Sequence, residues 1–153
     1  MERIVNTMIK MNVKKLDEKA QLPVCKTADS AGYDICALEK TSLIKGDSPT
    51  MIKTGIAIDV ECDDNIVIIL TVRSSIGKRG INLANGIGVI DKDYRGEICV
   101  LLQNTGGHDI EVINEGDRIA QLMIMPIAKP IVTEVNELSD TDRGVSGFGS
   151  TGK

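Results

Sequence analysis

Residues 81–97 read INLANGIGVIDKDYRGE, and the fold turns on this stretch. It consists of two strand segments around a tight bend. The Asn85-Gly86 pair is a strong short hairpin signal, because both residue types tolerate positive φ. Gly86 and Gly88 leave main-chain N–H and C=O groups with no side chain in front of them, so a flat polar ring could approach closely. Val89 and Ile90 continue the second segment and Asp91 ends it. Tyr94, Arg95, Gly96 and Glu97 follow. A carboxylate beside a bared hairpin and an aromatic ring suits a nucleobase pocket with a base next to it. It equally suits a hairpin closed by an ordinary Asx turn at Asp91.

Outward from this stretch, the chain alternates short apolar runs with turn signals at intervals of roughly 8–12 residues. Strands are predicted over 8–16, over YDICAL (33–38), as a pair over 51–60 broken at Gly55, and over the β-branched run 66–72. Further strands are predicted over 98–102, over 110–113 with 118–124 as a second hairpin around the NEGD turn, and over 131–135. EKTSLIKGDSPT (39–50) reads as a polar connection turning at 46–49. RSSIGKRG (73–80) reads as irregular or as one short helical turn. No long 3.6-residue period occurs. The pattern predicts an all-β sandwich, barrel or jelly roll. The polar, Gly- and Ser-rich residues from 140 to 153 read as a mobile arm, leaving 1–139 as the single folded domain.

Composition narrows the function classes. At 153 residues with a net charge of −4, the chain suits one globular domain. Its acidic balance argues against a general nucleic-acid surface, though a local Arg cluster would still hold a small anion. No apolar run approaches the roughly 20 residues of a membrane span. Lys10, Lys14 and Lys15 interrupt any signal-peptide core, so a cytoplasmic location is expected. Cys25, Cys36, Cys62 and Cys99 form no C-x-x-C pair, and His108 is the single histidine, placed in a turn. Reduced structural thiols are therefore expected rather than a zinc site. With two Tyr, one Phe and no Trp, the core must come from Ile, Val, Leu and Met. Tyr94 and Phe148 lie in Gly-rich polar surroundings and point to ligand contact; Tyr33, at a strand start, points to packing. Arg73-Ser74-Ser75 after a strand suits phosphate oxygens. Gln121 within an apolar strand needs a polar partner. GFGSTGK at 147–153 satisfies G-x-x-x-x-G-K but lacks the following Ser/Thr and helix of a P-loop.

Five segments, AGYDI (31–35), RSS (73–75), NGIGVIDKDYRGE (85–97), GDRIAQL (116–122) and RGVSGFGSTG (143–152), together resemble, in order and spacing, the five motifs of the trimeric deoxyuridine triphosphatases (dUTPases). The resemblance spans residues 31–152, and some ten N-terminal residues stand outside it. It implies a jelly-roll-like β-barrel with a flexible C-terminal arm, a homotrimer with shared sites, and hydrolysis of dUTP to dUMP and pyrophosphate. By the same resemblance Asp91 is the general base on the attacking water. Asn85, Gly86 and Gly88 read the uracil, and Tyr94 lies under the deoxyribose. Arg73, Ser74, Ser75 and Gln121 bind phosphates. Arg143, Phe148, Gly149, Ser150 and Thr151 close over the nucleotide, with Phe148 on the base. Mg²⁺ is implied mainly through phosphates and waters, with Asp34 and Gln121 in its outer shell; Asp34 is otherwise implied to hold the site together. Asp117 and Arg118 read as turn residues. Two rivals stand beside this reading. A dCTP deaminase relative would need a Glu at the base, and the hairpin has none before Glu97. A non-catalytic nucleotide-binding regulator would not need Asp91.

Overall fold

The computed structural model describes residues 9–145 and 147. β1 (Lys10–Lys15) pairs antiparallel with β5 (Ile56–Glu61). β2 (Tyr33–Cys36), β11 (Arg118–Pro126), β6 (Ile66–Val72) and β8 (Gly88–Ile90) form a four-stranded sheet in that order. β4 (Thr50–Lys53), β9 (Cys99–Asn104) and β7 (Ile81–Leu83) form a three-stranded sheet. β3 (Thr41–Ile44) pairs with β10 (Ile110–Ile113). The result is a jelly-roll-like all-β fold of four small antiparallel sheets, and no single ladder closes into a barrel.

The sheets enclose an isoleucine-rich core. Ile35, Ile52, Ile56, Ile68, Ile81, Ile98, Ile113 and Ile119 are all buried, with Val60, Leu43, Leu102 and Leu122 among them. β6 shows why this sequence forms strand: Ile66, Ile68 and Leu70 alternate inward, and β-branched neighbours fill the half-covered outer face. Methionine does not share the core as expected. Met11 only packs against it, and Met51 and Met125 are exposed. Stiff β-branched side chains suit a pleated, interdigitated interior better than a flexible thioether does.

Several expectations change. Residues 81–97 do contain two segments around a tight bend, but they are not a hairpin. β7 docks on β9 and β8 on β6, so the bend carries the chain from one sheet to another. Only Gly86 takes a left-handed φ, +71°, with its N–H on the Leu83 carbonyl at 3.0 Å. Similarly β10 and β11 flank a turn without pairing, and β4 and β5 lie in different sheets. The polar connection 39–50 contains β3, whose one buried residue is Leu43. Residues 131–135 form no strand, and Ile131 and Val132 are almost fully exposed.

Residues 73–80 do make one helical turn. Helix α1 (Ser74–Lys78) starts after Arg73, whose extended backbone caps it, and ends at Arg79. Arg79 donates through Nε (2.8 Å) and Nη2 (2.6 Å) to Oε2 of the buried Glu111 on β10, and through Nη2 to the Val112 carbonyl at 2.7 Å. This pair, with two guanidinium donors on one carboxylate oxygen, ties α1 to a strand 32 residues away in sequence.

Candidate active site

Two cavities hold most of the described residues singled out from the sequence, and they share no lining residue. The first, about 310 Å³, is walled by Met51, Leu70, Leu83, Cys99 and Leu101 and carries Asn85, Gly88, Asp91, Tyr94 and Glu97. β8 is the edge strand of its sheet, so its outer row of N–H and C=O groups has no ladder partner among the described residues. The Asp91–Tyr94 turn is closed by the Tyr94 N–H on the Asp91 carbonyl at 3.1 Å. It is a main-chain turn, and the exposed Asp91 carboxylate is not consumed in making it. Arg95 braces the turn from behind. Its Nη1 donates to the carbonyls of Lys92 (2.7 Å) and Tyr94 (3.1 Å), while Nη2 pairs with Asp59 on β5. The Tyr94 hydroxyl donates to the Glu97 carbonyl at 3.1 Å, and its ring lies over Gly96, where a Cβ would come within 2.3 Å of the phenolic oxygen. The ring is thus pinned at both ends before any ligand arrives.

Glu97 and Cys99, not anticipated as lining residues, complete the wall. Glu97 Oε1 accepts the Gly55 N–H at 2.8 Å, which makes it a bracket between loops rather than a free acid. Burial first, and the Glu97 carboxylate second, push the Cys99 thiol above its ordinary range. It therefore stays protonated at neutral pH and acts as an apolar wall.

The second cavity, about 300 Å³ and mostly polar, is lined by Lys26, Ser30, Asp34, Arg73, Ser74 and Gln121 with the backbone at Ala31 and Gly32. Its construction follows from strand register. Gln121 lies opposite Asp34 across β2–β11 and opposite Thr71 across β11–β6, so the three share one face. Arg73, two residues beyond Thr71, arrives on the same side. Asp34 is almost covered and is held between two guanidiniums, Arg73 Nε at 2.7 Å on Oδ1 and Arg118 Nη1 at 2.9 Å on Oδ2. Asp34 is thus an ion-pair hub rather than a turn acceptor. Arg118 does not serve the turn, and no local sequence signal links it to a residue 84 positions away; Asp117 does, taking the Asn114 N–H at 2.8 Å. Behind the hub, burial pushes the Cys36 thiol up, with Asp34 adding to it. Tyr33, expected to pack, is exposed at the start of β2.

Gln121 is half-buried and faces this cavity beside Gly32. Ser75 and Gly86 line neither cavity; both are exposed, one on α1 and one at the bend. Arg143 is exposed in a turn at 142–145. Phe148, Gly149, Ser150 and Thr151 lie outside the described residues. All four cysteines are free thiols.

The donor set bears on the implied Mg²⁺. Among the described residues no three His, Cys, Asp or Glu side chains gather into a metal cage. Both oxygens of Asp34 already accept from arginines. The lining thus offers no ready cage of its own among the described residues, and an ion carried on phosphate oxygens would meet it through waters.

A family model described as dUTPase matches residues 18–152. The chain is 45% identical over 149 residues to the deoxyuridine 5'-triphosphate nucleotidohydrolase of Rickettsia typhi, covering 95% of this chain and 99% of that protein. It is 42% identical over 146 residues to the protein of the same name from Nautilia profundicola, covering 95% of this chain and 100% of the other. Among solved structures it resembles the Staphylococcus bacteriophage 80alpha dUTPase with dUPNHPP, at a TM-score of 0.84 and 28% identity over 94% of this chain and 99% of that one. It also resembles a dUTPase from phage phi11 of S. aureus described for coordination of a structural Mg(II) ion, at a TM-score of 0.77 and 26% identity, over 86% and 99%. With the first four segments distributed over two cavities as the sheets dictate, and relatives matching nearly end to end, the chain belongs to the dUTPase family.

Proposed function

We propose that this protein hydrolyses dUTP to dUMP and pyrophosphate. The observation that carries the reading is the division of labour between the cavities. One presents an edge strand's main chain, a pinned aromatic ring and an exposed carboxylate. The other presents a guanidinium, hydroxyls and an amide around an ion-pair hub. The first suits a base, its sugar and a water to be activated; the second suits a polyphosphate. The names of the relatives, deoxyuridine 5'-triphosphate nucleotidohydrolases, support the same substrate.

In this reading Asp91 accepts a proton from a water as that water attacks the α-phosphorus. The bond to the β-phosphate oxygen breaks, and pyrophosphate remains with Arg73, Ser74, Ser75 and Gln121. Main-chain groups at Gly86 and Gly88, with Asn85, read the uracil edge, and the closeness of that approach excludes thymine's methyl. Tyr94 packs under the deoxyribose. Mg²⁺ on the triphosphate would neutralise its charge. Four free thiols fit a reducing compartment, the cytoplasm.

The two cavities share no lining residue, and a nucleotide that uses both could join them across copies of the chain. We assign the assembly as the homotrimer that the motif pattern implies, with the third motif and the C-terminal arm supplied by neighbouring copies. Ile131, Val132 and Leu138, each at least 87% exposed, are the kind of apolar surface that a partner covers. Pyrophosphate release measured over a panel of dUTP, UTP, dTTP and dCTP tests the activity. Selective turnover of dUTP is expected. Ammonia released from dCTP would point to a deaminase, and binding without turnover to a regulator. Light scattering that finds an active monomer would overturn the shared site.

Residues 140–145 contribute no strand and bury no side chain. Deleting everything after Asp140 is therefore expected to leave the thermal midpoint of the ligand-free protein nearly unchanged. The same deletion should lower turnover by roughly 10- to 100-fold, since it removes the Phe148 stack, worth about 1–3 kcal/mol, together with Arg143, Ser150 and Thr151. Full-rate hydrolysis by the truncated chain would make the arm passive.

A further inference from the structure

Lys26 stands outside all five motif segments, yet it lines the polar cavity beside Arg73, Ser74 and Ser30. The loop that carries it is built to hold it there. Val24 and Asp34 clamp the loop's ends through paired main-chain hydrogen bonds, Asp34 N–H to the Val24 carbonyl at 2.9 Å and Val24 N–H to the Asp34 carbonyl at 3.3 Å. Within the loop, the Thr27 N–H donates to Ser30 Oγ at 3.1 Å, the Thr27 and Ser30 hydroxyls meet at 2.8 Å, and the Ser30 N–H returns to the Thr27 carbonyl at 3.1 Å. The Cys25 thiol donates to the carbonyls of Thr27 (3.3 Å) and Ser30 (3.2 Å). The loop is thus tied across its width and rooted on the same Asp34 that anchors Arg73.

Charge makes the position consequential. Arg73 and Arg118 share one carboxylate, Asp34, which leaves the hub a surplus of one positive charge. Lys26 forms no ion pair with any described carboxylate, and with it the hub and the loop together carry a surplus of two positive charges. A cation with no carboxylate partner among the described residues, on a tied loop lining an anion-sized cavity, keeps its three donors for a ligand, and only its side chain remains to be ordered.

We infer that Lys26 is a further polyphosphate-binding residue, one that holds the pyrophosphate half of the substrate and slows its release as product. The inference rests on the functional reading above for the substrate's identity, but not for the anion. The attacked phosphorus must lie at the Asp91 end, in the other cavity, so the phosphates that reach Lys26 are those beyond the scissile bond.

The test is calorimetric titration of the full-length protein with pyrophosphate in the presence of Mg²⁺, and separately with dUMP. The proteins compared are the unaltered chain, Lys26→Met and Lys26→Arg. Lys26→Met is expected to weaken pyrophosphate binding about fivefold, in the range for a partly exposed charge-assisted contact. Lys26→Arg should restore most of the loss, and dUMP binding and the thermal midpoint should not move. In steady state, the inhibition constant for pyrophosphate should rise by the same factor. A Lys26→Met protein that binds pyrophosphate as tightly as the unaltered chain, an unaltered chain that binds none, or an equal loss of dUMP affinity would each overturn the inference. If pyrophosphate binds and responds to Lys26 while dUTP is not turned over, the hydrolase reading fails and this one stands. If dUTP is hydrolysed and pyrophosphate affinity ignores Lys26, the reverse holds.

Discussion

Replacing Asp91 by asparagine is expected to lower kcat on dUTP by roughly 10²–10⁴-fold, the usual worth of a positioned general base. The affinity for a non-hydrolysable dUTP analogue should change little. The expectation rests on placement. The carboxylate follows an edge strand, stands exposed at the first cavity, and sits on a turn closed by main chain and braced through Arg95. Asparagine keeps the shape and the turn while losing the capacity to accept a proton near neutral pH. Parallel measurement of single-turnover rates and analogue affinity separates the two effects. Near-normal turnover in Asp91→Asn would move the base elsewhere, and a matching loss of analogue binding would make Asp91 a ligand contact instead.

The largest expected effect on folding comes from the pair that fixes α1. Arg79→Met leaves Glu111, with 7% of its side chain exposed, as a carboxylate without its cation. Breaking such a pair from one side costs about 3–5 kcal/mol, most of it the penalty of the charge left behind. The double variant Arg79→Met/Glu111→Leu removes both charges and is expected to recover a large part of that loss. Urea titrations of the two single variants, the double variant and the unaltered protein give the coupling directly. Additive losses would mean that the Arg79–Glu111 pairing is incidental. Since α1 follows Arg73 and carries Ser74 and Ser75, Arg79→Met should also weaken triphosphate binding more than dUMP binding.

What the sequence made legible was local, and what it hid was pairing. The β-branched run 66–72 has one good conformation and adopts it as β6. The bend at 85–86, the helical turn at 74–78 and the turn at 114–117 also follow from residues a few positions apart. Which strand each segment docks on depends on distant partners. Asn85-Gly86 announces that the chain turns, but not that β7 and β8 part company there for β9 and β6. β3 escaped notice because only Leu43 is buried in a run of Thr, Ser, Lys and Gly, and its reason to be a strand is β10, some 70 residues later. Residues 131–135 show the opposite case, an apolar stretch with no ladder among the described residues. The polar cavity was half legible: Arg73, Ser74 and Gln121 were singled out from the sequence and line it, while Arg118 was read as a turn residue and Lys26 was not singled out. Arg118 stands inside the fourth segment, but its pairing with Asp34 comes from β2 docking on β11, and Lys26 is placed by a tied loop.

The unpaired edge of β8 has a consequence for inhibitors and for how the protein could escape them. An edge strand offers N–H and C=O groups, which every residue except proline carries. Substituting Val89 or Ile90 changes what borders the cavity and leaves that row intact. A compound anchored on the main chain there would keep its hydrogen bonds through almost any point mutation. Resistance would have to arise in the surrounding wall, at Met51, Leu83, Cys99 or Leu101, by narrowing the space beside the edge. Leu83 is buried and Cys99 half-buried, so bulk added there strains the core. Met51 is exposed and Leu101 only half-covered, so bulk there is cheaper, and selection under such a compound is expected to find Met51 first.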